Sequence, residues 1–188
     1  MKKFNLKEVL VPTVSLFIIS AIVTLLLAVT NSVTKPKIEQ LQIETENKTK
    51  VAVLSDAKEF SDAMTVSLDG VDYTYYEGYG EEKEIAGYVF TTSAKGYGGD
   101  IVTMVGVLND GTVSGMDFLS ISETAGLGMN ADADEFKNQY VGKSGEIAVN
   151  KNAPSENEIQ ALTGATITSK AVTNAVNIAL NLFEEVNN

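Results

Sequence analysis

The sequence predicts an α+β protein: an N-terminal transmembrane helix, then a single soluble domain in which helices pack on an antiparallel sheet. Three observations carry this. No charged residue falls between Glu8 and Lys35. Segments rich in β-formers follow one another from about Thr65 to Ile121, with the pair Asp110-Gly111 between two of them. Near the C-terminus Val172, Ala175, Val176, Ala179, Leu182, Phe183 and Val186 recur at three- and four-residue steps, which is one face of a helix.

The uncharged run from Val9 to Thr34 predicts a membrane helix, since about 20 apolar residues suffice to cross a bilayer core. A cleaved signal peptide is the alternative. Its apolar core is usually only ~7–15 residues and ends at a small-x-small site. This run is longer and Ala28-Val29-Thr30 is a poor cleavage match, so a retained anchor is expected. Pro12 is placed in the first helical turn, where a missing N–H costs least. Lys2, Lys3 and Lys7 on the short side favour a cytoplasmic N-terminus over residues 1–8. Residues 35–60 are polar and helix-compatible. They predict a connector helix that begins near Pro36 and breaks or frays near Asn47. A domain over residues 61–188 follows.

In that domain Val71–Tyr76, Ile85–Ser93, Ile101–Leu108 and Val113–Ile121 read as strands. Asp110-Gly111 signals a two-residue hairpin between the last two. Short turns between consecutive strands mean an antiparallel sheet rather than crossover units. Tyr73, Tyr75, Tyr76 and Tyr79 are assigned to the sheet rather than to a site. Beyond the strands, a short helix carrying Phe136 and Tyr140 is expected.

Composition excludes much chemistry. The 188 residues contain no Cys, no His and no Trp, and all 14 basic residues are Lys. No Cys or His nucleophile, Ser-His-Asp triad, thiolate-bound iron–sulfur cluster or His-based zinc or haem site can exist here. Electron transfer would need an organic cofactor. Phosphate would be bound by backbone N–H groups, hydroxyls and lysine, because arginine is absent. The net charge of −11 argues against nucleic acid as a partner. Five lysines against Glu8 give residues 1–37 a net +4, so the remainder carries −15: a basic membrane end and an acidic, well-solvated body.

Three stretches stand apart. Thr163-Gly164-Ala165-Thr166-Ile167-Thr168-Ser169 places four hydroxyls in seven residues at a helix start. Unpaired N–H groups and the helix dipole make such a start a ready phosphate site, although Ser and Thr are also ordinary N-caps. Lys95-Gly96-Tyr97-Gly98-Gly99-Asp100 lets the backbone turn sharply around one tyrosine, or is simply a loop between strands. Ser122-Glu123-Thr124-Ala125-Gly126-Leu127-Gly128-Met129 follows a strand and holds Leu127 between two glycines.

The first stretch resembles the Ser/Thr-Gly-Ala-Thr-x-Thr/Ser flavinylation motif of FMN-binding domains. Such domains occur in the G subunit of the Rnf electron-transport complex and the C subunit of the sodium-translocating NADH:quinone reductase. The third resembles that family's Glu-Thr-Pro-Gly-Leu-Gly segment, with Ala125 in place of proline. Gln160 stands where the family usually has aspartate. The ordered motifs match over roughly residues 85–186, and the short chain with its anchor favours the Rnf protein. The resemblance implies FMN joined to Thr166 by a phosphoester bond, with Thr163 and Thr168 as hydroxyl donors to the phosphate. Gly164 and Ala165 provide room, and Glu123, Thr124, Gly126, Leu127, Gly128, Tyr97, Gly98 and Gly99 complete the site. It further implies an extracytoplasmic flavin domain and other membrane subunits of an Rnf complex as partners. A magnesium-dependent flavin transferase of the ApbE type would supply FMN from FAD. Electrons would pass between ferredoxin and NAD with Na⁺ or H⁺ pumping. The alternatives are the equivalent quinone-reductase flavin protein, a tethered FMN-binding domain that relays no electrons, or an anchored assembly factor whose hydroxyls only cap a helix.

Overall fold

A computed structural model describes residues 6–187 of the chain. Lys2 and Lys3, on which the expected orientation chiefly rests, lie outside the described residues. Helix α1 runs from Leu6 to Val53. Residues up to Glu44 form one unit and those from Thr45 onward a second.

In the first unit, α1 is long and apolar enough to cross a membrane by length and composition, and its apolar window is not buried within the protein. Three threonine hydroxyls along it bond back into the helix. Thr13 Oγ1 donates to the Val9 carbonyl at 2.8 Å, Thr30 Oγ1 to Leu26 at 2.9 Å, and Thr34 Oγ1 to Thr30. Such pairing removes the cost of bringing an unsatisfied hydroxyl into hydrocarbon. Both prolines sit inside the helix, not at its starts as the sequence suggests. Each removes one intrahelical bond, about 3 kcal/mol in a helix interior. The Leu-, Glu-, Gln- and Lys-rich run after Pro36 consists of strong helix formers, and the helix passes unbroken through Asn47.

The second unit holds strands β1 (Glu59–Phe60), β2 (Met64–Leu68), β3 (Val71–Tyr79), β4 (Ile85–Lys95), β5 (Asp100–Leu108) and β6 (Val113–Ser120). Their order is β1-β3-β4-β5-β6, with β2 also paired to β3, and every pairing is antiparallel. A 3₁₀ turn (Gly128–Asp132), α2 (Asp134–Lys137), β7 (Ala148–Asn150), β8 (Glu158–Gln160) and α3 (Thr166–Asn187) follow. β7 and β8 form a parallel pair. Three-residue strands carry too little periodicity to be read from sequence. The loop between them is held by Glu158, which accepts Ser155 N–H and Oγ at 2.8 Å each and Asn150 Nδ2 at 3.1 Å. Those bonds, led by the Ser155 N–H, hold its carboxyl below the usual range.

The β5–β6 hairpin is longer than two residues. Gly111 N–H bonds the Leu108 carbonyl at 2.9 Å, Leu108 N–H bonds Thr112 at 2.8 Å, and Gly111 takes φ 82°. A left-handed residue after the turn is the bulged hairpin, and Asp110 completes it by accepting Thr112 N–H and Oγ1.

Both sheet faces are covered. On one, Val172, Ala175, Val176, Ala179 and Leu182 of α3 are fully buried with Phe90, Val105 and Val107. Tyr75 and Tyr88 stack beside Phe90, so these tyrosines serve the core. On the other face lie Val53, Leu54 and Ala57 with Tyr76, Val89 and Met104. The adjacent residues Val89 and Phe90 belong to opposite cores, as period-two alternation requires. This second core is where α1 ends, at Val53 rather than at the expected connector boundary of residue 60.

Glycines make the seat for that end. Gly78 pairs with Gly87, and Gly106 with Gly115. A Cβ on Gly78 would lie 2.8 Å from Ala57 Cβ, one on Gly115 3.0 Å from the Val53 carbonyl oxygen, and one on Gly106 would collide with that oxygen. Ser114 Oγ donates to the same oxygen at 2.6 Å. Lys50 stands over the Tyr76 ring at 4.0 Å and pairs with Glu46 at 3.5 Å, and Tyr76 Oη donates to Glu46 at 2.6 Å. Burial, then the Glu46 bond, raises the Tyr76 hydroxyl well above its ordinary range.

Gly106→Ala should therefore destabilise the protein by about 1–3 kcal/mol, the usual cost of overpacking. Gly99→Ala, where an added methyl meets nothing within 4 Å, should change the melting temperature little. Equal melting curves for the two variants would refute the seat.

Candidate functional site

The seven-residue hydroxyl stretch folds as a turn leading into α3. Ala165 N–H bonds the Leu162 carbonyl at 3.0 Å, and Gly164 takes φ 75°, a conformation costly for any residue with a Cβ. Ser169, fully buried, reaches back. Its Oγ accepts Leu162 N–H and donates to the Ala165 carbonyl, both at 3.0 Å. One side chain thus ties the turn to the helix. The first backbone bond of the helix is Ser169 N–H to Ala165 O, so among the described residues the N–H groups of Thr166, Ile167 and Thr168 have no carbonyl partner.

The four hydroxyls are not equivalent. Ser169 serves the turn. Thr168, also buried, donates its only proton to Glu123 Oε2 at 2.9 Å. It is therefore a support rather than a free donor to a phosphate. Thr163 is exposed and lines a separate depression with Gln139, Gln160 and Leu162. Thr166 is the first residue of α3 and half-buried, and its hydroxyl has no hydrogen-bond partner among the described residues.

The glycine loops converge on that helix start. Thr124 accepts N–H groups from Leu127 and Met129 at 3.1 Å each, and Gly126 turns the chain at φ 74°. A Cβ on Gly164 would lie 3.1 Å from Leu127 Cδ2, so the leucine held out by this turn lies against the hydroxyl stretch. Gly96 N–H closes the other loop on the Gly99 carbonyl at 2.8 Å. Glu123 Oε1 accepts the N–H groups of Tyr97 at 2.9 Å and Gly98 at 3.1 Å.

Together these segments enclose a pocket of about 500 Å³. Tyr97, Glu123, Thr124, Leu127, Gly128, Gly164, Ala165, Thr166 and Thr168 line it, all of them residues singled out in the sequence. Gly98, Gly99 and Gly126 shape the loops without lining it, and Thr163 faces away. Ile167 also lines the pocket and is 55 % exposed. It occupies the variable position of the motif, so no sequence signal marks it. Gly96 is a further omission, because a Cβ there would collide with the Glu123 carboxylate. Among the described residues no lysine lines the pocket. A phosphate at Thr166 would be met by helix N–H groups and dipole, and the apolar Leu127, Ile167 and Tyr97 suit an aromatic ring system. The residues present fit a flavin mononucleotide.

Comparison with known proteins bears this out at the level of family. Residues 96–181 match the FMN-binding domain family. The G subunit of the Na⁺-translocating ferredoxin:NAD⁺ oxidoreductase complex of Acetobacterium woodii is 33% identical over 186 residues, covering 91% of this chain and 89% of that one. This chain belongs to the Rnf G-subunit family. The G subunit of the proton-translocating complex of Clostridium ljungdahlii is 37% identical over 83% of this chain and 81% of its own. Among solved structures, the C subunit of the Na⁺-translocating NADH-quinone reductase of Parabacteroides distasonis has a TM-score of 0.59 at 20% identity, covering 75% of this chain and 91% of that one. At that identity the likeness is one of fold, and it agrees with the α+β architecture of this Rnf-family chain.

The two glycines of the second loop should fail differently. Gly126→Ala meets open space and only strains a positive φ, a cost of about 1–2 kcal/mol. Gly128 has no positive φ, and a β-carbon there would lie 2.7 Å from both Glu123 Oε2 and Thr168 Oγ1. Gly128→Ala should reduce flavin content more than Gly126→Ala when both are purified and measured by absorbance. The reverse order would contradict the packing described.

Proposed function

We propose that this chain is the membrane-anchored flavin protein of an ion-translocating ferredoxin:NAD oxidoreductase of the Rnf type, with FMN attached through Thr166. The observation that carries this is the state of Thr166. Of the four clustered hydroxyls it alone both lines the pocket and lacks a partner, and it stands beside unpaired helix N–H groups.

Attachment would proceed with FAD as donor and a separate magnesium-dependent transferase of the ApbE type. Thr166 Oγ forms the new bond to the FMN-side phosphorus, the phosphoanhydride bond breaks, AMP leaves, and the hydroxyl proton passes to a base of the transferase. The chain has no histidine or cysteine to activate its own hydroxyl, which suits a passive acceptor. The bound flavin would supply one- and two-electron redox chemistry. The chain's part would be to hold it: the first-turn N–H groups of α3 would meet the phosphate, and Leu127, Ile167 and Tyr97 would pack on the ring. Covalent attachment keeps the site filled where free flavin is dilute and a reversible site would empty by mass action. The domain would stand outside the cytoplasm, with residues 1–8 inside, 9–34 in the membrane and the part of α1 that follows as connector. Other Rnf membrane subunits would exchange its electrons.

Thr166→Ala or Thr166→Val should abolish in-gel flavin fluorescence of the denatured chain, with membrane insertion intact. Thr163→Ala should leave loading close to normal. Peptide mass mapping that places the adduct on another residue would overturn the assignment. Protease added to spheroplasts should remove the domain beyond Lys35 and spare the N-terminus, and protection of the domain would reverse the topology.

A further inference from the structure

The carboxylate of Glu123 is the point where three segments meet. Oε1 accepts the N–H groups of Tyr97 and Gly98, and Oε2 accepts the Thr168 hydroxyl. Its partners lie 26, 25 and 45 residues away in the chain. Among the described residues no backbone hydrogen bond joins the 96–99 turn to the 122–128 loop or to the start of α3. The carboxylate is therefore the polar connection holding this side of the pocket together. Its bed is built for it. Gly96 and Gly128 lack positive φ, and what each needs is room: a Cβ on Gly96 would collide with Oε1, and one on Gly128 would press on Oε2 and on Thr168 Oγ1. A Cβ on Gly98 would collide with the Ser122 carbonyl, which keeps the turn close enough for both N–H groups to reach.

We propose that Glu123 is a positioning residue for flavin attachment: it clasps the Tyr97–Gly98 turn and the first turn of α3, so that the pocket beside Thr166 is assembled before flavin arrives. The inference deepens the flavin reading above and rests on it for its meaning. It does not need the flavin for its test. All three contacts use the carboxylate as acceptor. A glutamine can remake them, its oxygen accepting the two N–H groups and its amide N–H donating to Thr168 Oγ1. An alanine remakes none. Thr168→Val removes the third contact and leaves the other two.

The test uses the full chain in detergent, with two measurements. The first is hydrogen exchange at the Tyr97 and Gly98 amides without flavin. The second is the kcat and KM of the chain as acceptor for a purified flavin transferase supplied with FAD and Mg²⁺. In Glu123→Ala both amides should exchange about tenfold faster or more, and kcat/KM for flavin transfer should fall by a comparable factor. Glu123→Gln should bring both back to within about threefold of wild type. Thr168→Val should keep the two amides protected while transfer slows, and it carries the test should Glu123→Ala fail to fold. Unchanged amide protection in Glu123→Ala, normal transfer to that variant, or failure of glutamine to rescue would each overturn the proposal. A wild-type chain that accepts no flavin would instead overturn the flavin reading, and the amide exchange would still decide the clasp.

Discussion

Burial of one face of α3 against β4 and β5 is the contact on which the rest depends. Five residues of that face, Val172 to Leu182, are completely buried, and each such side chain contributes roughly 1.5–3 kcal/mol when large and less when it is alanine. The alanines let the helix approach the sheet closely. Tyr140, in the same core, secures that helix further: its hydroxyl lies 2.8 Å from Thr173 Oγ1, and burial raises it well above the ordinary tyrosine range. With the body of α3 pinned, its first turn has one position available. That position puts Thr166 in the lining of the pocket and turns Thr168 and Ser169 inward to bond Glu123 and the preceding turn.

A phosphate held at this site would have to be met without a cationic side chain. The chain is strongly acidic and contains no arginine, and among the described residues no lysine lines the pocket. The positive potential that would meet a phosphate there comes from the first-turn N–H groups of α3, which lack carbonyl partners, and from its dipole. The one carboxylate in the wall is satisfied by three donors of its own, so it does not compete for those N–H groups. Holding the phosphate covalently would remove the need for a strongly cationic, high-affinity site.

The opposite face of the sheet has a different task. There the backbone of Val53 rests on Gly106 and Gly115, and Leu54 on Gly78 and Gly87, with Lys50 stacked on Tyr76 and paired to Glu46. Small residues give close backbone contact, and the Lys50 pair adds a fixed polar point in an otherwise apolar seat. The two faces divide the labour: one receives the last residues of α1 and the other positions the helix that begins at Thr166.

Much of this was legible in the residues themselves. The uncharged run in α1, the strands from Val71 to Ile121, the apolar stripe of α3 and the Thr163–Thr168 motif are local patterns, set by periodicity or by short-range chemistry that neighbouring residues alone impose. Gly111 likewise announces its turn, though not the turn's length, because only a residue without Cβ takes that angle cheaply. The helix continuing through Pro36, the parallel pair β7–β8, the outward-facing Thr163 and the inclusion of Ile167 were not legible. Nor was the meaning of Gly96, Gly106 and Gly128, which sequence presents as flexible and the structure uses as space for Glu123 and Val53. Those glycine contacts depend on which groups meet across 25 to 61 residues of chain. Sequence order fixes what each residue can do, and only the packed sheet, with a helix on each face, decides which groups are near enough to do it.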